Sequence, residues 1–293
     1  MSASFSIKDL ENVCGVKAHT IRIWEKRYHL LSPERTDTNI RTYNMDSLKK
    51  LLNVSFLVNC GYKISRVAKL TPDEINKYLN TIISDKTIID KSFNNLKVAM
   101  LNYNTTIFNT TVNEALSRYS LNEVFFNIFI PFLNEIGLLW QSGTINSTHE
   151  HFITNLIKQK LWSNINNIQT YETDNKKTFV LFLPQGEISD LSIIFLNNLL
   201  LSNGYRTIYL GSNISKEELE GIAKLHNNLV FTSYFTVAPN TNDVLAYLNE
   251  FNDQISAPNN HELWVMGRIL TDILVPTDIK HIQSFKDFQK IIA

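Results

Sequence analysis

The chain has 293 residues and balances 28 Lys and Arg against 28 Asp and Glu, so it carries no formal net charge, and its length suits two domains, or two plus a small module. The neutrality conceals a division: residues 1 to 70 hold twelve basic groups and six acidic ones, an excess of six cations that the remaining 223 residues must offset. A basic head on an acidic body concentrates attraction for phosphates in one module, while two cysteines, Cys14 and Cys60, exclude a disulfide framework or a zinc site and read as small buried hydrophobes.

In the head, Ile7, Leu10, Val13 and Cys14 recur at helical spacing, and Gly15 ends that helix. Lys17 to Tyr28 forms a second helix that turns Ile21 and Trp24 to the core and leaves His19, Thr20, Arg22, Ile23, Arg27 and Tyr28 free to project. Two short helices across a tight glycine turn make a helix-turn-helix, whose second helix enters a major groove. A basic hairpin follows, up to Tyr43.

The run from Thr20 to Arg35 (TIRIWEKRYHLLSPER), with Ser6 to Leu10 before it and Asn39 to Tyr43 after it, closely resembles the winged-helix reader of the MerR family. The resemblance implies that Thr20, Arg22 and Tyr28 face DNA from the recognition helix and that Arg35, Arg41 and Tyr43 belong to the wing. The residue types suit that work, since arginine forms bidentate bonds to guanine and hydroxyl or cationic groups hold phosphates and set register. The expected partner is double-stranded promoter DNA, bound by a homodimer or homotetramer on a site of twofold symmetry.

Behind the head, Leu48, Leu51, Leu52, Phe56 and Leu57 stripe a helix that stops at Gly61. A shorter helix spans Ile64 to Leu70, and Thr71 caps a new one beginning at Pro72. From about Asp85 to Gln169 three apolar stripes and a preceding helix near 85 to 102 predict an up-and-down four-helix bundle, with a kink at Pro131. Residues 171–177 are polar and read as a linker. Strand and helix then alternate to the end, with Gly211-Ser212-Asn213 as a plain turn and Ser215 capping the next helix. The predicted fold is a multidomain α/β protein: a winged helix-turn-helix at residues 1–75, a helical bundle at 76–170 and a doubly wound parallel sheet in flavodoxin-like order at 178–293, its ligand site at the carboxyl ends of the strands.

A bundle and a parallel α/β domain behind a MerR-type reader resemble the cobalamin-dependent photoreceptor repressors. Trp140, followed after nine residues by Glu150-His151, matches the signature of the cap over the upper corrin face, whereas Gln141 stands where light-sensing members can carry a second histidine ligand. The loop from Glu187 to Ser192 aligns with the family's Asp/Glu-x-His-x-x-Gly element: the acid is Glu187, Ser189 replaces the lower-face histidine, and Ser192 replaces the glycine. Ser233 falls in the Ser-x-Leu/Thr element that binds the nucleotide tail, and Gly267-Arg268 stands where the family has Gly-Gly. A serine hydroxyl cannot replace imidazole on cobalt, so no cofactor is firmly expected, although base-off cobalamin binding would still use the surviving cap. Blander readings stand beside these: Trp140 as bundle packing, Glu187 and Asp190 as caps of the following helix, and His149 and His151 on different helix faces, unable to share a metal.

The expected function is a sequence-specific MerR-type regulator whose C-terminal half is a degenerate cobalamin-binding sensor or assembly module. The alternatives are a light-responsive repressor holding base-off corrinoid and a protein-binding module on a cobalamin fold. No catalytic constellation supports an enzyme. The start of the chain lacks a charged segment leading into an apolar run, and no apolar stretch runs uninterrupted for about eighteen residues, so no membrane association is expected and the protein should reside in the cytoplasm, at the nucleoid.

Overall fold

The computed structural model describes residues 4–81, 85–168 and 177–293, with side chains left aside for 80–87. The linker expected at 171–177 lies, apart from Lys177, outside the described residues. The chain forms two compact units, Met1–Ile157 and Lys158–Ala293.

The first unit opens with helix α1 (Ile7–Cys14), started by a reciprocal Ser6–Asp9 capping box and ended by Gly15 in the left-handed region at φ 70°. Glycine adopts that conformation with no Cβ to clash, so the chain can turn at once into α2 (Ala18–Tyr28). Leu10, Val13, Ile21 and Trp24 are buried, as their spacing demands. The wing pairs β1 (Glu34–Arg35) antiparallel with β2 (Arg41–Thr42), and Phe5 bridges to Tyr43 beside it. Next come α3 (Met45–Asn59), α4 (Ile64–Val67) and α5 (Pro72–Thr81). The helix expected from Ile64 to Leu70 is thus a single turn, while Thr71 does cap the next, its hydroxyl and Glu74 bonding reciprocally.

The bundle comprises α6 (Asp85–Leu101), α7 (Thr105–Leu116), a third rod and α10 (Ser147–Asn167). The third rod contains α8 (Leu121–Val124), a π-helical segment (Phe125–Phe129) and α9 (Ile130–Gln141). Pro131 has no N–H to donate and its ring crowds the carbonyl four residues back; the ladder widens just before it, the Ile130 N–H reaching Phe125 O. That rod has the length and composition of a membrane span, yet Phe125, Ile128, Phe129, Phe132 and Ile136 are buried, as in the core helix of a bundle.

Head and bundle share one compact unit. Lys97 of α6 is buried, its Nζ donating to Val13 O of α1 at 2.8 Å and pairing with Glu135 of α9 at 2.6 Å. Asn12 Nδ2 donates to Thr144 Oγ1 at 2.9 Å, a second strap on the same helix. Lys97 sits in a cleft of about 700 Å³ that Cys14, Phe56 and Asn94 also line. Burial pushes the Cys14 thiol up to about 12, so it remains a neutral apolar group as expected. Cys60 does not: it is exposed, because α3 ends at Asn59 and the apolar face runs out one residue too early.

The second unit is a five-stranded parallel sheet ordered β4 (Arg206–Ile214), β3 (Thr178–Pro184), β5 (Leu229–Tyr234), β6 (Glu262–Met266) and β7 (Lys280–His281). In chain order this is 2-1-3-4-5, the flavodoxin-like arrangement. Helices α12 (Lys216–Leu225) and α13 (Val244–Phe251) cover one face, where Phe182, Phe231 and Phe251 pack together. On the other face lie α11 (Leu191–Ser202) and α14 (Phe285–Ile292), with Phe179, Trp264 and Phe288 between them and the sheet. Gly211-Ser212-Asn213 is not a turn: β4 runs through it, with register shifts opposite Leu181 to Pro184 and left-handed conformations at Gly211 and Asn213. A bulged strand and a turn demand the same residue types, which is why the two read alike in sequence.

Candidate DNA interface and corrinoid-type site

In the head, Arg22, Lys26 and Arg27 of α2 are exposed, and Thr20 and Tyr28 are half-buried, with the Arg27 guanidinium over the Tyr28 ring at 5.6 Å. Among the described residues the Arg22 side chain makes no ion pair. Arg35 and Arg41 stand directly opposite each other on the two-stranded wing. Like charges in that position repel, so the pair suits a polyanion rather than the isolated hairpin. Arg35 is exposed and held at the wing tip by Asn39, Nη1 to Oδ1 at 2.6 Å. Arg41 leans the other way, its Nε 3.4 Å from Glu25 Oε2.

Tyr43 corrects the expectation. It is 2% exposed, and its hydroxyl donates to Glu25 Oε1 at 2.5 Å. Burial and the adjoining carboxylate both push the phenol up, so it stays a donor. Tyr43 therefore belongs to the packing between wing and recognition helix and does not face outward. Glu25, which sequence reasoning passed over, is the hub: one carboxylate on α2 takes the wing's Arg41 and Tyr43 together. A lone acid in the middle of a basic helix was the available signal.

In the bundle, the short connection between α9 and α10 brings Trp140 and Glu150-His151 to one end, and all three are exposed. Trp140 shows 56% of its surface, which removes the reading of it as bundle packing. The neighbouring His149 stacks on Tyr103 at 4.8 Å with Nδ1 2.8 Å from Asn146 Oδ1, and burial lowers its pKa. No cluster able to hold a metal occurs among the described residues.

At the carboxyl ends of the α/β strands, Glu187 is 2% exposed and neither caps α11 nor points outward. Its Oε2 accepts from the backbone N–H groups of Thr236, Val237 and Ala238, and its Oε1 from those of Ile188 and Ser189. Five amide donors on one carboxylate weld the loop after β3 to the loop after β5. Asp190 makes no cap bond either; it pairs with Lys158. Ser189 is half-buried in this loop.

Ser233 is fully buried, and strand alternation puts it on the same face as Phe231, among the core packed against α13. The residues of that strand end that turn to α11 and α14 are Thr232 and Tyr234. Tyr234 stacks on Phe285 of α14, ring centroids 5.4 Å apart and planes 6° from parallel, and shares a hydrogen bond with Ser192 of α11. Burial pushes its phenol up as well. Gly267 has φ 129°, and a Cβ there would lie 2.1 Å from Phe235 O, so the chain's own backbone requires this glycine. Arg268 does not obstruct the interior: it is exposed and begins a 3-10 turn.

These residues do not fit a corrinoid held through a lower histidine. The position of that ligand offers a hydroxyl, a poor donor to cobalt, and the acid beside it is committed to five amides. The Ser233 hydroxyl, buried without a hydrogen-bond partner, points the other way, but it lies on the opposite face of the sheet from Tyr234.

A winged helix-turn-helix with a cationic reading helix, followed by a helical bundle and a parallel α/β unit of corrinoid-protein type, defines a DNA-binding regulator with a cofactor-type module behind it. Residues 5–74 match the MerR HTH family regulatory protein model, and residues 92–161 match the B12 binding domain model. The chain is thus a DNA-binding regulator of the MerR type that carries a B12-binding domain. It is 23% identical over 275 residues to the HTH-type transcriptional repressor CarH of Myxococcus xanthus, covering 90% of this chain and 89% of that one. With the HTH-type transcriptional regulator MlrA of Escherichia coli K12 it shares 29% identity over 72 residues, 25% of this chain and 30% of that one. The monomethylamine corrinoid protein of Methanosarcina barkeri superposes with a TM-score of 0.54 at 13% identity, covering 71% of this chain and 98% of that chain, a likeness of fold.

Proposed function

We propose that the protein is a sequence-specific regulator of transcription, working in the cytoplasm at the nucleoid, that binds promoter DNA as a homodimer or homotetramer and catalyses no reaction. Residues 1–75 read the duplex, and the bundle (76–170) and α/β region (178–293) serve as sensor or assembly module. Arg22, with Thr20 and Tyr28 beside it, reads base edges and adjoining phosphates from the major groove, while Arg35 and Arg41 hold the backbone from the wing. The observation that carries this reading is the pattern of exposure on the head. Arg22, Lys26, Arg27 and Arg35 are exposed, whereas the acid among them, Glu25, is withdrawn to pin the wing.

One protomer spans a half-site, so an oligomer should select a twofold-symmetric sequence with half-sites about one helical turn apart, or a multiple of that. Selection of bound duplexes from a random library by the full-length protein should enrich such a motif. Failure to enrich any sequence would remove the proposal.

The exposed Trp140, Glu150 and His151 favour a second reading, a repressor that responds to a corrinoid. The donor chemistry at Ser189 and the side chains around Tyr234 oppose it.

A further inference from the structure

One departure from the corrinoid-protein pattern and two aromatic residues, separated in sequence, converge on one face of the α/β sheet. Ser192 replaces the glycine of the loop motif at the start of α11. Tyr234 is the middle residue of the Ser-x-Leu/Thr strand-end element, turned to the α11 and α14 face, and its hydroxyl meets Ser192. Phe285, in the first turn of α14, stacks flat on the Tyr234 ring. A glycine in place of Ser192 would leave space at this point; instead the Ser192 hydroxyl bonds to the Tyr234 phenol, and the Phe285 ring stacks on the same phenol. Glu187 fastens the two adjoining loops with its five amide bonds.

Resting on the regulator reading above, we infer that the α/β unit is closed by its own side chains against the nucleotide tail of a cobalamin, so that it is a fixed, cofactor-independent module and DNA binding responds to neither cobalamin nor light. The obstruction has two separable parts. Ser189 withholds a ligand from cobalt, and the Tyr234–Phe285–Ser192 contact excludes the tail. Opening this stack for a ligand gives up its aromatic contact, a cost that the ligand must offset.

Because the two parts are separable, restoring only the ligand discriminates between corrinoids. The full-length protein and its Ser189→His variant are incubated in the dark with hydroxocobalamin or with diaquacobinamide, which has no nucleotide tail and releases one axial water when an imidazole binds its cobalt; they are then desalted and scanned for retained corrin absorbance and titrated for affinity. The wild type should retain neither. The variant should bind cobinamide about tenfold or more tighter than cobalamin, because the imidazole is present while the tail remains excluded. Wild-type protein that emerges loaded with cobalamin overturns the inference, as does a variant that binds cobalamin as tightly as cobinamide, or neither corrinoid while its circular dichroism matches wild type. DNA affinity measured alongside, in light and dark, keeps the outcomes distinct. Loss of DNA binding would sink the regulator reading alone, and a light-dependent change in a cobalamin-loaded wild type would sink the inference alone.

Discussion

Glu25 in the head and Glu187 in the α/β unit are both carboxylates withdrawn from solvent, and each ties one loop to another element instead of meeting a ligand. Charge-assisted hydrogen bonds are roughly twice as strong as neutral ones, and Glu187 accepts five. Glu187→Gln keeps the size but places an amide donor against backbone donors, so it should cost about 1 to 3 kcal/mol in urea unfolding followed by circular dichroism, with DNA affinity unchanged. An unaltered midpoint would mean that the loops hold without this carboxylate. The sequence marked Glu187 as important because it aligns with the motif's acid. It could not show what the acid does: its strongest partners are main-chain N–H groups some fifty residues away, which have no signature in residue type. Tyr43 misled for the same reason. A tyrosine at the base of a basic hairpin reads as a contact until its hydroxyl is seen on Glu25.

Among the elements, strands and helices with strong apolar periodicity were legible, and their alternation pointed to the doubly wound sheet, whose 2-1-3-4-5 order is the flavodoxin-like one expected. What escaped was where backbone irregularity, not side-chain pattern, sets the element: the bulged continuation of β4 through Asn213 and the π segment ahead of Pro131. The coupling of α1 to α6 and α9 through Lys97 escaped as well, since a lysine on a helix is ordinarily a solvated one. Lys97 is buried while its partner Glu135 keeps some contact with solvent, so Lys97→Met should destabilise the first unit by about 1 to 3 kcal/mol in chemical denaturation through its lost bonds to Val13 and Glu135, and a change under about 0.5 kcal/mol would show these bonds to be incidental. His149 gives the same unit a pH response. Burial lowers its pKa below the ordinary 6.5, so the folded state favours the neutral ring; stability is full above that value and declines as pH falls through it toward the lower folded value. The thermal midpoint should therefore fall between about pH 7.5 and pH 5.5, and His149→Gln should lessen the decline; an equal decline in the variant would place the response elsewhere.

Over the whole molecule, charge and chemistry divide the labour: a basic head with exposed arginines, and an α/β unit in which the acid of the corrinoid-type loop, Glu187, ties two loops together. The MerR-type reader was legible in sequence because its apolar spacing, glycine turn and basic residues all lie within about forty contiguous residues. The corrinoid-type region was legible as a fold but not as a site, because a serine at the aligned histidine position shows in sequence whereas the contacts among Ser192, Tyr234 and Phe285 depend on which face each residue takes. The claim that the head reads a duplex is tested most directly by fluorescence anisotropy on a selected operator and on versions with each base pair changed, for wild type, Arg22→Ala and Arg35→Ala over a range of salt. Arg22→Ala should lose about 1 to 3 kcal/mol of discrimination at one base position in each half-site, while Arg35→Ala should weaken binding to every duplex alike and lower the salt slope by about one per protomer. If both variants bind every duplex as wild type does, with the same salt slope, the head does not read DNA.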